Sequence, residues 1–168
     1  METKIRKARL SDLDRIMEIF EGAKQIMRAS GNHNQWNDGY PSTDIIKKDI
    51  AEENCYVLYD DIEILGTLTL LPGPDPTYSY IEGSWPDDEP YHVIHRIATA
   101  VPGRNVAKQM FDWAFEHISL MGCRIIRIDT HRDNCIMKHI LNKYGFSMCG
   151  VIYLENGSPR DAYYYRSK

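Results

Sequence analysis

Two stretches of the chain gather side chains that can hold an anion and move a proton. In the first, Tyr91–Thr99 (YHVIHRIAT) leads through Pro102-Gly103 into Arg104-Asn105-Val106-Ala107-Lys108. An apolar strand feeding a glycine-containing turn and then a helix start is an anion site in outline. The first-turn N–H groups lack intrahelical partners, and the helix dipole favours negative charge. Arg104 and Lys108 add cations, while Asn105 and Ala107 are small enough for a ligand to approach the backbone. The turn holds too little glycine for a Walker loop or a dinucleotide fingerprint. In the second stretch, Arg127-Ile128-Asp129-Thr130-His131-Arg132-Asp133-Asn134 carries a strand into a polar loop and a further helix.

Histidines supply the proton chemistry. An imidazole titrates near pH 6.5 and suits removing a proton from an amine. His95 sits in mid-strand beside Arg96, and His131 ends the next strand beside Asp129, where two parallel strands would part and ligands commonly bind. Glu82, between Tyr80 and Trp85, is a third candidate base, acting through a water. Trp36, Tyr40, Tyr78, Tyr80 and Trp85 are candidate walls of a binding pocket. Each has a plainer alternative: a hydrogen-bonded sheet histidine, a solvated loop acid, aromatic packing under a long loop. His92 and His95 are three apart and would face opposite sides of a strand, and Cys55, Cys123, Cys135 and Cys149 form no C-x-x-C pair. No metal site is expected, and the thiols read as reduced, mostly buried and structural.

The elements that must position these groups follow from periodicity. Ile5–Ala8 reads as a strand, Ser11 as an N-cap, and Leu13, Ile16, Met17, Phe20, Ala23 and Met27 as one helical face ending at Gly31. A polar loop over 30–41 precedes a helix starting at Ser42. Strands at Cys55–Tyr59 and Ile62–Leu71 form a hairpin across Asp60-Asp61, and Pro72-Gly73-Pro74-Asp75-Pro76 is a loop. Strand Tyr91–Thr99, a helix from about Arg104 to Met121, strand Arg124–Thr130 and a helix from Asn134 to Lys143 come next. Strands Phe146–Leu154 and Ala162–Arg166 close the chain around Asn156-Gly157-Ser158-Pro159. The order predicts a single α/β domain over residues 1–168, with a mixed sheet, a parallel βαβ pair and helices on both faces.

Composition agrees with one domain. The chain has 168 residues, 43% of them hydrophobic, which is enough for a core without disulfides. The net charge of −4 argues against nucleic acid as a partner, since such proteins usually carry a basic face. No window approaches the roughly 18 apolar residues of a membrane span. The N-terminus lacks the apolar stretch of a signal peptide, so a cytoplasmic protein without a membrane partner is expected. The charge is unevenly spread. Residues 1–90 hold 9 Lys/Arg against 18 Asp/Glu, whereas residues 91–144 hold 8 against 4.

The βα turn, Asn134 opening a helix, and Leu141-Asn142-Lys143-Tyr144-Gly145-Phe146 closing it together resemble the GNAT N-acetyltransferase superfamily, across nearly the whole element order. That family's pyrophosphate loop usually reads Arg/Gln-x-x-Gly-x-Gly/Ala. Here Ala107 matches the second small residue, Asn105 replaces the first glycine, and the turn is short. Asn134, Gly145 and Phe146 match the later motif, but Leu141 stands where members often carry a tyrosine general acid.

The resemblance implies a GNAT-like fold with a mostly antiparallel sheet, and transfer of acetyl from acetyl-CoA to a primary amine of a small molecule or peptide by direct attack. The amine must lose a proton and the oxyanion must be stabilised, while holding both substrates together supplies much of the rate. It assigns cofactor contacts to Ile97, Ala98, Thr99, Gly103, Arg104, Asn105, Val106, Ala107, Lys108 and Asn134. It leaves His95, His131 and Glu82 as catalytic candidates, and Trp36, Tyr78, Tyr80 and Trp85 for the acceptor. The acidic 75–90 segment would lie toward the acceptor and favour a cationic amine. A sheet edge could pair in a homodimer. The rival is a non-catalytic acyl-CoA-binding or sensing module on the same fold, motivated by Leu141 and Asn105.

Overall fold

A computed structural model describes residues 2–100 and 102–168; Met1 and Val101, the latter within the expected 100–105 turn, lie outside the described residues. Eight strands form one sheet: β1 (Lys4–Lys7), β2 (Cys55–Tyr59), β3 (Ile64–Pro72), β4 (Glu82–Gly83), β5 (His92–Thr99), β6 (Ile125–Thr130), β7 (Ser147–Tyr153) and β8 (Pro159–Arg166). Their spatial order is β1-β2-β3-β5-β6-β8-β7-β4. Among the described residues only β5 and β6 pair in parallel, joined through a crossover helix as the βαβ reading requires. The helices are α1 (Leu13–Ala29), α2 (Thr43–Ala51), α3 (Val106–Ser119) and α4 (Cys135–Tyr144).

Helical spacing explains which face each helix buries. In α3, Val106, Met110, Phe111, Ala114 and Ile118 recur every three or four residues and pack on Leu68, Ile94, Ile126 and Ile128. Each such side chain stabilises the fold by about 1.5–3 kcal/mol when fully buried. Helix α3 comes so close to β3 that a Cβ on Gly66 would lie 2.7 Å from Val106 Cγ1. On the opposite face, Ile16, Ile19 and Phe20 of α1 and Ile46 of α2 cover Val57 and Ala98. A third, smaller cluster on that second face joins Tyr78 to Val93, Ile152 and Ala162.

Several expectations change. Ser11 is not the cap of α1: a 3-10 turn over Leu10–Asp12 comes first, and Asp12 accepts from Arg9 N–H at 2.7 Å while pairing with Arg6. Ser42 does cap α2, accepting from Ile45 N–H. The two-residue strand β4, too short to show periodicity, pairs with β7. Of the cysteines only Cys55 and Cys123 are buried; Cys135 opens α4 and is exposed. No helix among the described residues is long and apolar enough to cross a membrane.

Candidate active site

The parallel pair is brief. β5 and β6 are in register only at His92–Ile126 and Val93–Arg127, and beyond those residues the strands part. A bulge in β5 marks the same point. Thr67 pairs with Ala98 and Thr69 with His95, so Arg96 and Ile97 together face Leu68. The extra residue leaves backbone groups without ladder partners.

The bulge is held by a buried clamp. Arg96 has φ of 48°, an uncommon conformation for a residue with a side chain. Its Nε and Nη2 donate to the two oxygens of Asp49 at 2.7 and 3.0 Å, and Nη1 donates to Tyr40 Oη at 2.9 Å. Thr69 Oγ1 donates to Asp49 as well, at 2.9 Å. Asp49 projects from α2, so the helix and the bulge are locked by one carboxylate in bidentate contact.

The gap opens into a cavity of about 1030 Å³, with Trp36, Tyr40, Asp75, His95, Ile97, Asp129, His131, Asn134 and Arg160 among its walls. His95 is the best-placed base there. Its Nε2 lies 2.8 Å from Asp75 Oδ2. Burial alone would raise the Asp75 carboxyl, but hydrogen bonds from His95 and Thr77 outweigh it and hold it down to about 2. An ionised carboxylate only accepts, so Nε2 is the donor, and in the neutral imidazole the lone pair then lies on Nδ1. Asp75 was legible only as part of a proline-rich loop.

His131 also lines the cavity but is engaged differently. Its Nδ1 accepts from Asp133 N–H at 3.0 Å, and burial, then the Arg160 guanidinium, lower its pKa. Tyr78 is buried beneath the floor and donates to Asp129 Oδ2 at 2.6 Å; burial and the Asp129 charge push its hydroxyl well above the usual range.

Other candidates are not brought together with these. Glu82 is exposed on β4 and accepts from Tyr153 Oη, and the Tyr80 ring lies tilted against the same Tyr153 ring. Trp85 donates to Tyr78 O and covers Arg127. The β4–β7 pairing holds Glu82 at the sheet edge and Trp85 packs with Tyr78 against Val93, so none of Tyr80, Glu82 and Trp85 is among the walls of the cavity. Two further acids of the 75–90 segment are engaged elsewhere: Asp87 and Glu89 meet Tyr164 and Arg166. Of that segment's acids only Asp75 lines the cavity, whose other carboxylates are Asp38, Asp129, Asp133 and Glu155.

At the start of α3, Asn105 is left-handed, with φ of 54° and ψ of 31°. It therefore meets the conformational demand that a glycine would meet, as asparagine does more readily than most residues. Gly103 has nothing within 4 Å of where a Cβ would be, leaving the backbone open there. Arg104 pairs with Asp60 at 3.2 Å and Lys108 with Asp112 at 2.8 Å, so neither cation is free. Val106 and Ala107 are buried in the core, Ala98 packs toward α1, and Thr99 pairs with Gly66. Asn134 caps α4 by accepting from Met137 N–H, and its amide donates to Gln35 Oε1. Leu141 is fully buried and supplies no proton donor.

The Acetyltransferase (GNAT) family model matches residues 13–146. The chain belongs to the GNAT acetyltransferase family. A solved GNAT acetyltransferase from Streptococcus agalactiae is 32% identical, with a TM-score of 0.88 over 99% of this chain and 96% of that one. An acetyltransferase structure from Staphylococcus aureus is 26% identical, with a TM-score of 0.74 over 98% and 99% of the two chains. A PaiA N-acetyltransferase from Thermoplasma acidophilum, solved in complex with coenzyme A, shares the fold at 14% identity, TM-score 0.75, over 99% and 100%. No curated protein sequence matches significantly. Among GNAT members this chain is thus an acetyltransferase whose usual tyrosine position is Leu141.

Proposed function

We propose that this acetyltransferase uses acetyl-CoA to acetylate a primary amine, with His95 as the base and Asp75 as its positioning partner. The observation that carries the reading is the Asp75–His95 pair placed beside the β5 bulge, in the cavity where β5 and β6 part. The chain suits the cosubstrate at two places. The left-handed Asn105 and open Gly103 leave the first turn of α3 accessible to phosphates, and the bulge at Arg96–Ile97 offers backbone groups where a thioester carbonyl would need them.

When bound, acetyl-CoA supplies the activated acetyl group. The residues of the chain do the rest. His95 Nδ1 takes a proton from the acceptor amine, and Asp75 stabilises the imidazolium that results. The amine attacks the thioester carbonyl directly: the C–N bond forms, the C–S bond breaks, and coenzyme A leaves as a thiolate that takes a proton from the imidazolium or from solvent. Trp36 and Tyr40, from the loop between α1 and α2, cover the acceptor side.

Thiol release from acetyl-CoA, with mass detection of the acetylated product across a panel of amines, tests the reading. Turnover that falls on the order of 100-fold in His95→Gln, with coenzyme A affinity kept, supports it. Tight coenzyme A binding with no acetylated amine anywhere in the panel would instead mark a binding module.

A further inference from the structure

Arg160 is 8% exposed and lines the same cavity, yet among the described residues it has no ion-pair partner. Its one hydrogen bond is from Nη1 to the neighbouring Pro159 carbonyl at 2.8 Å. A buried guanidinium is normally paired, because an unpaired buried charge is costly. Asp129 is close enough to act on it through space, but the oxygen Oδ2 of that carboxylate already accepts from Tyr78. Among the described residues Nε and Nη2 have no hydrogen-bond partner, and together they form the two-pronged edge that matches a carboxylate.

Its place on the sheet shows which substrate that edge serves. Ala162 is the register partner of Asp129, and Arg160 lies two residues before Ala162, on the same face of β8. Ala162, Val93 and Tyr78 belong to one cluster on the face opposite α3 and α4. His95, two residues beyond Val93, shares that face. Arg160 is thus on the acceptor side with His95, and on the other side of the sheet from the α3 start that suits phosphates. Two strand steps, β5 to β6 and β6 to β8, separate it from His95, the first of them widened where β5 and β6 part, and both residues line the one cavity. Arginine and histidine side chains can both reach into such a gap.

We infer that the acceptor is an amine that also carries a carboxylate, an amino acid in the broad sense, with the carboxylate held by Arg160 and the amine delivered to His95. This rests on the acetyl-transfer reading and narrows its substrate. It also replaces the cationic acceptor suggested by the acidic 75–90 segment, most of which faces away from the cavity.

The test compares α- and ω-amino acids with their own amides, each as acceptor with acetyl-CoA. Loss of the carboxylate is expected to lower kcat/KM about tenfold or more, and in Arg160→Gln that ratio should collapse toward one. Arg160→Lys, which keeps the charge but not the fork, should fall between. If amides serve as well as the acids in the unaltered protein, the carboxylate assignment is overturned while acetyl transfer stands. If neither series is acetylated while another amine of the panel is, the carboxylate assignment is overturned; if no amine of the panel is acetylated, the transfer reading itself fails. Binding of N-acetyl amino acids to the coenzyme A-saturated protein, by calorimetry, gives a readout independent of turnover. N-acetyl amino acids binding no better than their amides would overturn the inference there too.

Discussion

Asp75 and His95 meet across the connection between two paired strands: the loop after β3 places a carboxylate 2.8 Å from an imidazole on β5. The loop is pinned for the purpose. Asp75 N–H donates to Tyr91 Oη at 2.9 Å, and Asp75 Oδ1 accepts from Thr77 N–H and Oγ1. The carboxylate is therefore fixed before any substrate arrives, so reorganisation at the moment of proton transfer is small.

If Asp75 orients His95, Asp75→Asn should reduce kcat while leaving coenzyme A binding intact. The amide can turn its N–H₂ toward the imidazole and select the wrong tautomer. We expect a fall on the order of 10–100-fold, smaller than that for His95→Gln. Steady-state kinetics over pH 6–9 separates this from a packing defect, since a positioning role moves the acidic limb of the kcat profile as well as its height. An unchanged profile in Asp75→Asn would remove Asp75 from the mechanism.

The same carboxyl makes a prediction about acid stability. Its folded pKa of about 2 lies below the ordinary value of 3.8, so its contribution is complete above that ordinary value. The contribution is lost as pH falls from about 4 to 2. Because the group is not fully withdrawn from solvent, the stabilisation at stake is about 1–2 kcal/mol. Urea unfolding at pH 6 and at pH 3 should show the unaltered protein losing more stability than Asp75→Asn over that interval. Equal losses would mean the carboxyl is not depressed.

The path of the chain was legible where long periodic segments carry it: α1, α3, β5 and β6, and the βαβ pair that sets the gap. The site was legible only in part. His95, His131, Trp36 and Asn134 all reach the cavity, but Asp75 hides in a run of prolines and Arg160 beside a turn, where neither carries a periodic signal. The β5 bulge is equally silent, because alternation along residues 91–99 does not mark an added residue. Glu82, Tyr80 and Trp85 look adjacent to the site along the chain. The two-residue β4 instead holds Glu82 at the sheet edge while Trp85 turns back onto Tyr78 and Arg127, and so short a strand leaves no pattern to read.

Asp49 and Arg96 should be strongly coupled. Asp49→Ala leaves a guanidinium in the interior without its bidentate partner and should destabilise the fold by about 3–5 kcal/mol. Arg96→Gln leaves Asp49 with Thr69 alone. In a double-mutant cycle the combined change should cost clearly less than the sum of the two, with a coupling of about 1–3 kcal/mol. Chemical denaturation of the four proteins measures it. Additive losses would show that the bulge is held by backbone preference rather than by this pair.

Asn105 tests what the α3 turn requires. Its left-handed backbone is one that glycine adopts without strain and β-branched residues adopt at a cost of about 1–2 kcal/mol. Asn105→Gly should therefore bind coenzyme A as the unaltered protein does. Asn105→Val should bind more weakly by roughly three- to tenfold, because the backbone must shift to relieve the side chain and the first N–H groups of α3 shift with it. Asn105 makes no capping hydrogen bond through its side chain, so a loss in the valine variant cannot come from a missing cap. Calorimetric titration of coenzyme A into the three proteins separates the alternatives. A glycine variant as weak as the valine one would show that the asparagine side chain, not the backbone angle, serves the ligand.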